Sequence, residues 1–124
     1  MNKVLSRLAV LAFSFAVTAP VHAQVVISQV YGGGGNSGAP LRSDFIELHN
    51  NGATSVDLAG WSVQYGSSGG TSWQRTNLSG SIAPGGYYLI KQADGGNIAA
   101  PALPTPDAIG TIAMSGTAGK VALV

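Results

Sequence analysis

DFIELHN, residues 44–50, alternates as an extended strand must: Ile46 and Leu48 fall on one face, and Phe45, Glu47 and His49 on the other. Asn50-Asn51-Gly52 stops it with residues that favour turns. Upstream, QVVISQVY (residues 24–31) reads as a half-buried strand that runs into four glycines, Gly32 to Gly35. Downstream, residues 56–58 and 60–65 (GWSVQY) are extended pieces with Trp61 and Val63 facing one way, and residues 66–70 form a turn. Residues 71–78 suit a strand carrying Trp73, and Ile82 precedes the bend Ala83-Pro84-Gly85-Gly86, where proline presets φ and glycine tolerates a positive one. YYLIKQ, residues 87–92, is the strongest strand by aromatic and β-branched content. Residues 94–107 are irregular, and residues 111–114 and 120–124 suit a final hairpin across residues 115–119. No segment after residue 23 carries a helical repeat, and about seven short strands at this spacing predict an all-β sandwich.

The N-terminus is of another kind. Lys3 and Arg7 begin it, residues 8–17 are apolar apart from Ser14, and Val21-His22-Ala23 offers the small residues a signal peptidase reads. This pattern predicts a signal peptide over residues 1–23, cleaved between Ala23 and Gln24, and a secreted or periplasmic product spanning residues 24–124. The apolar run is about half the roughly 20 residues of a spanning helix, so no membrane span is expected.

Without the first 23 residues the chain keeps four basic side chains, Arg42, Arg75, Lys91 and Lys120, against five acidic ones, a net charge of one negative. Proteins that hold nucleic acid by neutralising phosphate cluster an excess of cations, and these four are scattered. Charge therefore argues against strong autonomous DNA binding. Cysteine is absent, and His49 is the one histidine after residue 23, which excludes thiol nucleophiles and zinc centres built from His and Cys. About 100 residues suffice for one domain held by an apolar core.

Each constellation that could carry chemistry has an ordinary structural reading. Asp44 and Glu47 lie three apart, on opposite faces of a strand, so they do not converge as acid and base or share a metal; Asp44 suits the start of a turn and Glu47 a cross-strand partner. His49 reads as a surface residue at a strand end. The segment Gly32-Gly33-Gly34-Gly35-Asn36-Ser37-Gly38 lacks the Gly-Lys-Ser run and the following helix of a phosphate loop, and reads as a flexible strand connection. Asp94-Gly95-Gly96-Asn97 lacks the oxygen-rich ligand set of calcium. No catalytic residue, metal ligand or cofactor is expected. Tyr31, Tyr65, Trp73, Tyr87 and Tyr88 are first of all core and corner material, with one or two of them exposed and able to stack on sugars or unpaired bases.

DFIELHN, SVDLAGWSV, SIAPGGYYLIKQ and GTAGKVALV, in that order, resemble the lamin tail domain family over roughly residues 25–124. The resemblance implies an immunoglobulin-like β-sandwich with no catalytic block. It places Asp44 to Asn50 in a central strand, makes Asp57-Leu58-Ala59-Gly60-Trp61 a corner that throws an aromatic into the core, and starts a hairpin return at Gly119-Lys120. Members of the family usually continue past the strand matching residues 120–124. The chain thus reads as a C-terminally truncated domain missing its last strand, less stable than a longer parent and prone to associate through an exposed apolar edge.

The signal peptide followed by VVISQVYGGGGNSGA and DFIELHN further resembles the N-terminal region of large secreted bacterial nucleases of the endonuclease/exonuclease/phosphatase superfamily. That implies a noncatalytic interaction or spacer module whose partner is a downstream catalytic domain. The alternative is a free-standing adhesin-like or carbohydrate-binding module. Nucleic acid or polysaccharide remain the candidate ligands.

Overall fold

The computed structural model describes residues 23–124. The expected export signal rests on residues that, apart from Ala23, lie outside them. Nine strands follow in order: β1 (Val25–Tyr31), β2 (Ser43–Asn50), β3 (Val56–Asp57), β4 (Ser62–Gly66), β5 (Gln74–Asn77), β6 (Ser81–Ile82), β7 (Tyr87–Asp94), β8 (Ala108–Ile109) and β9 (Lys120–Leu123). They form a four-stranded sheet in the order β1-β2-β7-β8, a three-stranded sheet β5-β4-β9 and a small β3-β6 pair. No helix occurs among the described residues. The expected all-β, immunoglobulin-like sandwich is therefore the observed architecture.

The alternation in residues 44–50 sets the core. β2 lies between β1 and β7, both antiparallel to it, with Ile46 opposite Ile90 and Leu48 opposite Tyr88. These side chains meet Val63 and Tyr65 of β4, together with Leu58, Leu78 and Ile82, in one apolar cluster. Ile46, Leu48, Leu58, Val63 and Ile90 are wholly buried, and full burial of side chains this size contributes roughly 1.5–3 kcal/mol each.

Polar residues tie the layers where the apolar pattern stops. Asn50 is buried at the end of β2; its Nδ2 donates to the carbonyls of Thr54 and Ile82, both at 2.9 Å, and its Oδ1 accepts from Gly52 N–H at 2.9 Å. Gln92 of β7, equally buried, donates from Nε2 to Thr76 Oγ1 of β5 (3.0 Å) and accepts the Ile112 N–H on Oε1 (3.0 Å), so it links the two main sheets. With every polar atom partnered, these amides fix the register without an unpaired-group penalty.

Two turns follow the sequence closely. At residues 83–86, Gly86 N–H donates to Ala83 O at 2.9 Å and Gly85 takes a φ of 70°, the proline–glycine bend expected there. At residues 58–61, Trp61 N–H donates to Leu58 O at 2.9 Å while Asp57 Oδ1 accepts from Ala59 N–H. The side chain that this corner buries completely is Leu58; Trp61 is half-buried against the core. The resemblance pointed to the aromatic instead.

Two further expectations are corrected, for residues 111–114 and for the glycine segment, while residues 95–107 are irregular as expected. Residues 111–114 and 120–124 do not pair as a hairpin: β9 is antiparallel to β4, and residues 111–114 run beside the other sheet, where Ala93 N–H donates to Ile112 O at 3.0 Å. The irregular stretch of residues 94–107 leads into β8, which lies parallel to β7 with Ala108 beside Ile90. Asp107 leads into that pairing, its N–H donating to Leu89 O and its carboxylate accepting the Leu89 N–H, both at 2.8 Å. The glycine segment of residues 32–38 is a strand connection, but a packed one, with Gly34 and Gly35 buried against Ser43 and Gly95.

Tyr88 supplies a titration test of this packing. Its ring is in the core and its hydroxyl donates to Ser79 O at 2.7 Å. Burial, with the charge of Asp107 adding to it, holds the phenol above its ordinary value. A group so raised contributes stability that is complete below the unfolded value of about 10 and is lost as pH rises through the folded one. In an absorbance titration the Tyr88 phenol should ionise late, together with unfolding, and Tyr88→Phe should reduce the amplitude of that late phase. A late phase unchanged in Tyr88→Phe would contradict the assignment.

Candidate interaction surface

With one face of the four-stranded sheet packed on the core, the other faces outward. Register places Val26, His49 and Tyr87 in one row across it, Gln29, Glu47 and Leu89 in the next, and Tyr31, Phe45 and Lys91 in a third, with Ile109 beside Lys91. The rows differ in exposure. Tyr31 and Phe45 stack with ring centroids 5.3 Å apart, and Phe45 is buried in doing so. Tyr87 stacks on His49 at 4.3 Å and 24°, yet is 62% exposed. The His49 Nδ1 lies 3.0 Å from Gly86 O; since a carbonyl only accepts, Nδ1 carries the hydrogen, and Nε2 is the ring nitrogen without this bond. The result is a flat aromatic platform with a hydroxyl and an imidazole nitrogen at its rim.

Charge is sparse and mostly engaged around it. Glu47 Oε1 accepts from Ser28 Oγ at 2.7 Å, across the irregularity in β1 between Ile27 and Gln29, which is the cross-strand role expected of it. Lys91 lies 3.3 Å from Asp94. The Ser43 hydroxyl first, and Lys91 second, hold the Asp94 carboxyl below the usual carboxylate range. Arg42 Nε donates to Ala100 O at 3.3 Å, and Lys120 Nζ donates to Gly70 O at 2.7 Å while lying 5.2 Å over the Trp73 ring. No row of cations of the kind that tracks a phosphate backbone forms among the described residues.

Asp44 and Glu47 are separated by the sheet, as their spacing required. Asp44 is buried, and its two oxygens accept the Gly34 N–H at 2.6 Å and the Met114 N–H at 2.7 Å. Rather than starting a turn, it clasps the glycine segment and residues 111–114 to β2. Gly95 N–H donates to Arg42 O and Asn97 N–H to Gly35 O, so the segment 94–97 is also committed to backbone contacts. Among the described residues no three His, Asp or Glu side chains are placed together to hold a metal ion. Of the aromatics considered from sequence, Tyr65 and Tyr88 are buried, Tyr31 is half-buried, and Trp73 and Tyr87 are exposed.

Sequence reasoning missed one feature, an uncharged groove of about 440 Å³ between β1 and β9, lined by Ile27, Val30, Tyr65, Met114 and Val121 and by residues 115–119. Val30 pairs with Ile46 and so belongs to the core-facing row, but it is 50% exposed. Its alternation looks like that of any core valine, so the pattern carries no signal that the facing sheet stops short of it.

A family model described as Lamin Tail Domain matches residues 18–123, from within the expected export segment to the end of β9. No curated protein matches the chain. No helix of the described residues is long and apolar enough to cross a membrane.

Proposed function

The chain belongs to the lamin tail domain family, whose members are noncatalytic β-sandwich modules, and from that premise we propose that it is an interaction or spacer module of an exported bacterial protein. The observation that supports this reading is the division of labour between the sheet faces. The buried carboxylate, Asp44, spends both oxygens on backbone amides, while the outer face carries a stacked pair with no internal partner beyond Gly86 O. Such a module positions or retains something else. The signal-like residues 1–23, with cleavage before Gln24, support export to the periplasm or the medium. The resemblance to the start of secreted nucleases makes a catalytic domain encoded downstream the proposed partner.

The Tyr87–His49 platform favours a second reading, a carbohydrate-binding or adhesin-like module, because a flat exposed ring needs no positive field to stack on a sugar face. One set of measurements separates the two. In-frame continuation of the gene into a domain with clustered Asp, His and Asn supports the spacer reading. Retention on insoluble polysaccharide, lost in Tyr87→Ala with unfolding stability changed by less than about 0.5 kcal/mol, supports the second. A DNA mobility shift is expected only at low salt, given four basic side chains against five acidic ones after residue 23. A tight shift that persists at physiological salt would overturn the electrostatic argument.

A further inference from the structure

We propose that Gln24 is a modification site gated by the fold: as a new N-terminus it closes to pyroglutamate in the unfolded chain, and the folded domain holds it open. The inference rests on the cleavage before Gln24 proposed above. An N-terminal glutamine cyclises without a co-reactant. Its uncharged α-amine attacks Cδ of its own side chain and a lactam ring forms. The Cδ–Nε2 bond breaks, and that nitrogen takes a proton from the amine and leaves as ammonia. The carboxamide must therefore fold back onto its own amine.

In the domain the carboxamide is turned elsewhere. Gln24 Nε2 donates twice to one residue, to Thr54 O at 2.7 Å and to Thr54 Oγ1 at 3.1 Å. The acceptor is itself fixed: Thr54 O also takes a hydrogen from Asn50 Nδ2 at 2.9 Å, and Asn50 is wholly buried at the end of β2. The main chain is held at the same place. Gln24 O accepts the Asn51 N–H at 2.7 Å, one step beyond the Val25–Asn50 pair that opens the β1–β2 ladder. Between these two anchors the side chain crosses Gly52. A methyl built on Gly52 would fall within 2.6 Å of Gln24 Cγ, Cδ and Nε2, so the carbon that must react lies over a position that has no side chain. Ring closure in the folded state first has to release both hydrogen bonds to Thr54 and lift Cδ off the turn at residues 51–54.

Mass spectrometry of the N-terminal peptide reads the reaction as the loss of one ammonia. In the exported, processed protein kept folded, Gln24 should cyclise about tenfold more slowly than in the same protein unfolded in urea. A peptide of residues 24–31 corrects for the effect of urea on the chemistry. Gly52→Ala should displace the side chain and bring the folded rate close to the unfolded one. Thr54→Val removes Oγ1 but keeps the carbonyl, and should raise the folded rate by a smaller factor. Gly38→Ala, whose methyl meets nothing within 4 Å, should leave it unchanged. A urea unfolding curve for each variant establishes that the rates compared are those of folded protein, and Thr54→Val carries the test alone if Gly52→Ala does not fold. Cyclisation of the folded, unaltered protein at the unfolded rate overturns the gate and leaves the cleavage reading intact. A slow folded rate that the Gly52 and Thr54 variants do not change is equally fatal, because the protection then comes from elsewhere. A processed product beginning at another residue refutes the cleavage reading, and the proposal falls with it.

Discussion

Asp44→Ala should destabilise the domain by about 4 kcal/mol, because it leaves two buried amides with no acceptor. The carboxylate is 4% exposed and no cation lies among its partners; its charge is balanced by the N–H groups of Gly34 at 2.6 Å and Met114 at 2.7 Å. Hydrogen bonds to a charged acceptor are the stronger kind, and each orphaned donor in a site closed to water costs roughly 1–3 kcal/mol. Asp44→Asn keeps one acceptor oxygen but turns an NH2 group toward the other amide, so about half the loss is expected. Against a total stability of roughly 5–15 kcal/mol the alanine variant would be close to its threshold. The urea midpoint should fall at unchanged slope, and amide exchange at Gly34 and Met114 should accelerate more than in the β2–β7 ladder. A loss below about 1 kcal/mol would show that the clasp does not hold these segments.

That clasp also marks the limit of what the sequence discloses. DFIELHN was legible because period-two alternation is a local property: Ile46 and Leu48 point inward whatever their partners are. The bend at residues 83–86 was legible for the same reason, since proline and glycine constrain φ at their own positions. Asp44 was not, because its partners are backbone amides 10 and 70 residues away, and no side-chain pattern advertises a backbone donor. The false hairpin between residues 111–114 and 120–124 has a related cause. Proximity in sequence favours local pairing, but β4 offers β9 a matched ladder, and the amides of residues 112 and 114 are taken by Gln92 and Asp44. Of the display surface, sequence placed His49 on the outer face and the possibility of exposed aromatics. The stacking of Tyr87 on His49 needed the β2–β7 register, and the groove needed the position of a facing sheet edge.

Gly35→Ala should cost about 3 kcal/mol, because the glycine segment passes backbone against backbone rather than lying loose on the surface. Gly35 takes a φ of 70°, where a side chain strains the backbone by roughly 1 kcal/mol or more. Its added methyl would also fall on the Cα of Gly95, which cannot rotate away as a side chain could, and overpacking of this kind adds roughly 1–3 kcal/mol. Both segments are pinned: Gly35 N–H donates to Leu41 O at 2.8 Å, Asn97 N–H to Gly35 O at 2.8 Å and Gly95 N–H to Arg42 O at 3.0 Å. Gly38 serves as the internal control. Its φ is 80°, but a methyl there meets nothing within 4 Å, so Gly38→Ala should register the conformational cost alone, about 1 kcal/mol. The difference between the two variants in urea unfolding therefore isolates the crossing. If Gly35→Ala loses no more than Gly38→Ala, the segments at residues 32–38 and 94–97 give way to each other, and the glycine run is the loose connection its composition first suggests.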